Sequence, residues 1–231
     1  MTKTTDTPAA LERHCVGLFG GTFDPIHYGH LRMALELKQE LGFDDMRLLP
    51  CHLPPHRQMP GRSSAHRAAM VRLAVEGCES LAVDARELNR ERPSYTVDTL
   101  EELREELGAE VSISWCMGMD SLVNLSKWHR WRELSRFAHL VVVSRPGWEI
   151  PSDGELGAWV RDHHKAPQSL KREPSGSLVI VPLSLLEISA TQIREQIESG
   201  RSPRFLLPDP VWHYIEEKQL YLTRNNTTDE S

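Results

Sequence analysis

Cysteine is scarce in this 231-residue chain: Cys15, Cys51, Cys78 and Cys116 stand far apart, with no CxxC pair among them. That spacing excludes a disulfide framework or a zinc knuckle, and reduced thiols in a cytoplasmic protein are the expectation. No apolar run approaches the roughly 18 residues of a membrane span. The opening MTKTTDTPAALERH has acids and Thr where a signal peptide needs a basic start and an apolar stretch. Positive charge is not in excess either. With 27 Lys and Arg against 33 Asp and Glu, the net charge is −6, so bulk attraction to a nucleic acid polymer or an anionic membrane is absent. A local anion site is compatible with that balance. Two nucleotide signatures are also missing. Neither GxGxxG opening a helix nor GxxxxGK[ST] occurs, which sets aside a dinucleotide-binding Rossmann site and a P-loop ATPase.

What is present is the composition of a globular enzyme, 39% hydrophobic and 26% charged. Cys15 to Phe19 is an apolar run ending in Gly20 and Gly21, which predicts a buried strand entering a tight turn. Leu31, Ala34, Leu35, Lys38 and Leu41 then keep helical spacing up to Gly42. Further strands are predicted at Met46 to Pro50, Leu81 to Val83, VSISWCMG, His139 to Val143 and Leu178 to Val181. The β-branched character of the last two suits central parallel strands covered on both faces. Helices are predicted at Ala65 to Glu76 with Ala69, Met70, Leu73 and Ala74 inward, and after SYT with Val97, Leu100, Leu103 and Leu107 on one face. Others follow at Leu156 to His164, Ala190 to Ile197 and Pro210 to Gln219. The alternation predicts a single doubly wound, Rossmann-like α/β domain over 15–222 with a small C-terminal helical subregion. The polar, aperiodic ends, 1–12 and 223–231, read as disordered tails. Ligands then belong at the C-terminal ends of the strands, near a switch in strand order.

The residues after the first predicted strand, GLFGGTFDPIHYGH, combine a glycine pair with two histidines. Gly20 and Gly21 let backbone approach a phosphate, and a helix start favours an anion. His27 and His30, three apart, can turn two imidazoles toward one ligand, each with N–H donors for phosphate oxygens. Zinc ligation and a purely structural role are the alternatives; no third ligand stands in a fixed pattern nearby.

The HxGH pattern of His27 to His30, together with ISxTxIR at Ile188 to Arg194, resembles the nucleotidyltransferase α/β-phosphodiesterase superfamily. GGTFDPIHYGH, LPPHR, PSYTVDTL, GMDSL, KWHRW, HLVVVSRPG and ISATQIR together resemble the bacterial nicotinate-nucleotide adenylyltransferases over roughly Val16 to Tyr221. The resemblance implies ATP and nicotinate mononucleotide as substrates, with nicotinate adenine dinucleotide and pyrophosphate as products in NAD biosynthesis. It assigns the ATP side to Gly20, Gly21, Thr22, Phe23, His27, His30, Gly118, Asp120, Ile188, Ser189, Thr191 and Arg194, with His27, His30 and Arg194 catalytic. Capping the next helix is the plain alternative for Asp120 or Ser121, and for Ser94 or Thr96. On the acceptor side it implies Tyr95 and Thr96 at the nicotinate end and Trp128 stacked on the pyridine ring beside His129, with His56 and Arg57 on a loop over the site and Arg145 as phosphate candidates. An exposed loop without that duty is the alternative for His56 and Arg57, and His52 is a phosphate candidate by its residue type. Mg²⁺ is expected to travel with the ATP phosphates, with no dedicated protein ligands.

One departure is visible: Cys51 and His52 stand where relatives often have Asn, and neither reproduces an amide's acceptor and paired donors. Preference for the acid over the amide mononucleotide rests on the resemblance alone. A nucleotide-binding regulator is the alternative class, and it predicts ATP binding without pyrophosphate release. Trp131, Trp148, Trp159 and Trp212 are candidates for core anchors or for a homo-oligomer surface.

Overall fold

The computed structural model describes residues 12–52, 62–90, 93–144 and 149–222. Along them the chain runs β1 (Cys15–Gly21), α1 (Tyr28–Leu41), β2 (Asp45–Pro50), α2 (Ser64–Val75), β3 (Ala82–Val83) and α3 (Thr96–Leu107). It continues through β4 (Ser112–Gly118), α4 (Met119–Val123), α5 (Leu134–Phe137), β5 (His139–Ser144) and α6 (Gly154–His163). The last elements are α7 (Ser169–Arg172), β6 (Leu178–Pro182), α8 (Ala190–Glu198) and α9 (Asp209–Glu217).

The strands form one parallel six-stranded sheet in the order β3-β2-β1-β4-β5-β6. The chain therefore winds outward from β1 to one edge, returns to the centre at β4, and winds outward to the other. This is the doubly wound α/β arrangement that the alternation of elements predicts.

Period-two alternation feeds two cores. In β1, Cys15 and Phe19 enter one and Val16 and Leu18 the other; in β5, Val141 and Val143 oppose Leu140 and Val142. Leu37, Met70, Ile193 and Val211 bring α1, α2, α8 and α9 to the first core. Leu100, Leu122, Leu134 and Val160 bring α3 to α6 to the second. Each such aliphatic side chain contributes about 1.5–3 kcal/mol by leaving water. The predicted C-terminal helices share the first core with α1 and α2 and do not build a separate one. Gly42 ends α1 in the left-handed region (φ 64°), where its N–H bonds Lys38 O.

Two expectations need correction. On α2 the inward face is wider than expected: Met70, Leu73 and Ala74 do pack against the core, but Arg67, Ala68 and Val71 are buried beside them. Arg67 turns inward because its guanidinium donates to Thr22 O and His52 O, each at 2.7 Å. Strand β6 lies at a sheet edge and not in the centre. Its apolar character persists because both faces are covered and because the segment after α6 flanks it, with Lys165 N–H donating to Leu178 O at 2.9 Å.

Candidate functional site

Strands β1 and β4 end side by side, yet β1 leads to a helix in one core and β4 to a helix in the other. At their C-terminal ends opens a cleft of about 1530 Å³. Gly20 and Gly21 form one part of its floor, Met117 and Gly118 another. A Cβ on Gly20 would run into the Trp115 ring, so the glycine is what lets that indole lie across the end of β1.

The histidines sit where β1 turns into α1. His27 is the N-cap residue and makes no side-chain cap, and only 4% of it is exposed. Its Nδ1 is buried without a hydrogen-bond partner among the described residues. Burial pushes its pKa down to about 4, so the ring is neutral at pH 7. His30 stacks on it with centroids 3.7 Å apart and planes at 24°. The edge of Phe23 closes the other side, 5.1 Å away at 88°. Gly29 makes the pairing feasible, because a Cβ there would lie 3.0 Å from His27 Nδ1 and 3.4 Å from Ile188 O.

Across the cleft, α8 presents its N-terminal turn. Ser189 is the N-cap, its Oγ accepting from Gln192 N–H at 3.1 Å. Arg194, one turn on, donates to Asp24 O at 2.7 Å and to Thr191 Oγ1 at 3.3 Å. Asp24 is itself held by the buried Tyr221 hydroxyl, which donates to Oδ1 at 2.6 Å. Burial and the adjacent carboxylate raise the Tyr221 pKa, so this phenol stays a donor. The β1–α1 turn and α8 are thereby tied together through Asp24.

Every residue assigned by resemblance to the ATP side lines this one cleft: Gly20, Gly21, Thr22, Phe23, His27, His30, Gly118, Asp120, Ile188, Ser189, Thr191 and Arg194. Asp120 does not cap α4, whose N-cap is Gly118 with no side-chain bond. At the other end, Tyr95, Thr96, Trp128 and His129 line the cleft as well. Tyr95 and His129 face each other with ring centroids 4.5 Å apart, and Tyr95 N-caps α3 without a side-chain bond. Ser94 and Thr96 therefore do not cap it.

His52 is placed differently. It is not among the lining residues; its Nδ1 lies 2.9 Å from Ser64 Oγ, because the Arg67 bond to its carbonyl fixes the backbone toward α2. Its neighbour Cys51 does line the cleft, with Sγ 3.9 Å from Thr22 Oγ1. Burial raises the Cys51 pKa, so it is a thiol and not a reactive thiolate. His56, Arg57 and Arg145 lie outside the described residues, as do Trp148 and most of both predicted tails.

Sequence reasoning missed several groups here. Arg67 is fully buried and joins the Thr22 and His52 backbones, yet in sequence it is one cation in a helical stretch. Trp115 and Glu87 also line the cleft. The signal for Trp115 was present in the glycine that opposes it; Glu87 had none. Among the described residues no group of three or more His, Cys, Asp or Glu could hold a metal ion, and no helix is long and apolar enough to cross a membrane.

Comparison with known proteins converges on one group. The cytidylyltransferase-like family model matches residues 18–196. A protein of Cellvibrio japonicus named "Probable nicotinate-nucleotide adenylyltransferase" is 57% identical over 90% of this chain and 99% of its own length. One of the same name from Hahella chejuensis is 48% identical over 91% and 97%. Among solved structures, the Plasmodium falciparum nicotinic acid mononucleotide adenylyltransferase complexed with NaAD superposes with a TM-score of 0.68. It covers 90% of this chain and 98% of that one at 15% identity, a likeness of fold.

Proposed function

Because this chain belongs to the nicotinate-nucleotide adenylyltransferases of the cytidylyltransferase-like family, we propose that its cleft joins ATP to nicotinate mononucleotide, giving nicotinate adenine dinucleotide and pyrophosphate. The observation that carries the reading is the meeting of two distant sequence segments. The HYGH histidines and, from ISATQIR, Ile188, Ser189, Thr191 and Arg194 line one cleft at the C-terminal ends of β1 and β4, where doubly wound folds bind nucleotides.

The acceptor needs little activation. A phosphate monoester, with a second pKa of about 6, is largely dianionic at neutral pH. One of its oxygens forms the new bond to the α-phosphorus of ATP, while the bond from that phosphorus to the bridging oxygen breaks and its electron pair leaves with pyrophosphate. No covalent enzyme intermediate is required, so the chain's task is positioning and charge stabilisation. His30, wedged between the His27 face and the Phe23 edge, has little freedom and offers an N–H to the α-phosphate oxygens as their charge grows. His27, neutral before the nucleotide arrives, contributes a second N–H donor. Arg194 with Ser189 and Thr191 at the start of α8 holds the β and γ phosphates and then pyrophosphate.

Mg²⁺ is expected to enter this cleft on the phosphates of ATP, bound mainly through them. When bound it neutralises phosphate charge. Asp120, beside the end of β4, is suited to the ATP ribose.

At the acceptor end, the uncapped N-terminus of α3 offers backbone N–H groups to the nicotinate carboxylate. Trp128, half-buried at the cleft wall, supplies a face for the pyridine ring. The test is pyrophosphate release from ATP and Mg²⁺ with each mononucleotide. Release that requires an acceptor and shows the higher kcat/KM with nicotinate mononucleotide is expected. Equal or higher efficiency with the amide overturns the acceptor assignment, and ATP binding without release under any acceptor overturns the enzymatic reading.

A further inference from the structure

Below the acceptor end of the cleft lies a buried polar chain that the reaction itself does not use. Glu87 is 4% exposed and Thr99, on α3, is 0% exposed. The Thr99 hydroxyl donates to Glu87 Oε1 at 2.6 Å and accepts from Arg90 Nη1 at 2.7 Å. Arg90 Nη2 in turn donates to Glu102 at 2.6 Å, one turn further along α3. A hydroxyl has one proton, and the 2.6 Å contact with Glu87 uses it; its remaining approach to Tyr95 O is 3.4 Å. The chain therefore has a direction, from Arg90 through Thr99 to Glu87.

That direction matters because of what stands on either side. Glu87 lines the cleft together with Ser94, Tyr95 and Thr96, and the Ser94 side chain lies beside it. Thr99 sits in the first turn of α3, and its N–H donates to Tyr95 O at 3.2 Å. The first turn of α3 is thus tied to Glu87 through the Thr99 hydroxyl, while the Ser94 hydroxyl beside that carboxylate has no hydrogen-bond partner among the described residues. Burying a carboxylate is unfavourable unless partners repay it. Here the bonds from Thr99 and the nearby Arg90 guanidinium, 4.0 Å from Oε1, offset part of that cost, while burial still raises the Glu87 pKa. An apolar pair would fill the same space, but it would not fix the rotation of the α3 start relative to the cleft.

We infer that Glu87 and Thr99, braced by Arg90, form a positioning device that aims the Ser94–Thr96 segment and the first N–H groups of α3 at the acceptor's pyridine end. The inference rests on the acceptor reading above and deepens it. It assigns acceptor affinity to residues that touch no phosphate and leaves the ATP side, built from β1, α1 and α8, independent of them.

The experiment uses full-length protein, ATP with Mg²⁺ and nicotinate mononucleotide, and measures both KM values and the thermal midpoint. Thr99→Val keeps the shape and removes the hydroxyl. It is expected to raise the mononucleotide KM on the order of tenfold with the ATP KM within about twofold of wild type, and Thr99→Ser is expected to restore it. Glu87→Gln, a milder change that guards against failure of Thr99→Val to fold, is expected to raise the same KM by about threefold. A lower thermal midpoint with both KM values unmoved, or an equal rise in both, overturns the inference and assigns the chain to stability alone. A lowered mononucleotide KM in Glu87→Gln also overturns it, since the carboxylate would then act by direct repulsion. A wild-type protein that turns over no pyridine mononucleotide overturns the acceptor reading itself, and this inference with it.

Discussion

The imidazoles of His27 and His30 lie face to face, 3.7 Å between centroids, in a site where burial holds His27 neutral down to about pH 4. Two stacked rings at that distance do not both take a proton without an anion beside them. A polyphosphate supplies one. Nucleotide binding should therefore raise the His27 pKa and draw a proton from solution wherever the free ring is neutral and the bound ring is not. Calorimetry of ATP binding at about pH 5.5 in buffers of different ionisation enthalpy should report net proton uptake that disappears in His27→Asn. Zero uptake in the wild type would mean that His27 binds phosphate as a neutral donor.

Substituting His30 separates catalysis from binding. His30→Ala should keep the fold, since the ring is only partly buried, and should lower kcat on the order of 100-fold or more by removing a donor to the transition-state charge. Single-turnover kinetics at saturating ATP check this. An unchanged rate would take His30 out of the mechanism.

Acid should destabilise the protein through its buried histidines. The folded-state pKa of His27 is depressed to about 4 and that of His139 is also depressed, in both cases mainly by burial. In the native state His139 donates through Nε2 to Glu173 O at 2.8 Å and accepts at Nδ1 from Ser177 N–H at 3.0 Å. Protonation would destroy the second bond. The unfolded chain binds these protons first, from about pH 6.5 downward, so the stability present above that pH is progressively lost as pH falls toward 4. Thermal midpoints measured from about pH 7 to 4 should decline, and less steeply in His139→Gln. An identical slope in that variant would exclude His139 as a contributor.

Much of this was legible in the sequence because short-range patterns encode it. The apolar run before Gly20 and Gly21, the stripe from Leu31 to Leu41 and the two histidines three apart each depend on neighbours along the chain. Placement of β6 at an edge and the burial of Arg67 on α2 depend on partners distant in sequence. Arg67 illustrates this: its two carbonyl acceptors follow β1 and β2, and no spacing within α2 announces them. Glu87 was hidden although its partners are near in sequence, because only the fold turns Thr99 and Arg90 onto one carboxylate. The placement of His52 was hidden in the same way, since the partner of its ring, Ser64, stands on α2.

Arg67 also gives a stability prediction. Arg67→Met fills similar space but strands Thr22 O and His52 O without their donor. At about 1–3 kcal/mol for each of the two unsatisfied carbonyls, and about 2–4 °C per kcal/mol for a protein of this size, the thermal midpoint should fall by roughly 4–24 °C. The ATP KM should rise as well, because Thr22 lines the ATP side of the cleft. An unchanged thermal midpoint would argue against Arg67 as a strut.

Trp128 should behave in the opposite way. Trp128→Ala is expected to raise the mononucleotide KM several-fold while barely moving the ATP KM, as a lost stacking face is worth about 0.5–1.5 kcal/mol beyond the area it buries. Equal effects on both substrates would identify the indole as a packing residue of the cleft wall.

The most direct measurement offers both mononucleotides at equal concentration in one reaction with ATP and Mg²⁺ and identifies the dinucleotides by mass. The account predicts nicotinate adenine dinucleotide as the dominant product, formed in step with pyrophosphate. A dominant amide dinucleotide, or pyrophosphate released without either dinucleotide, would contradict it.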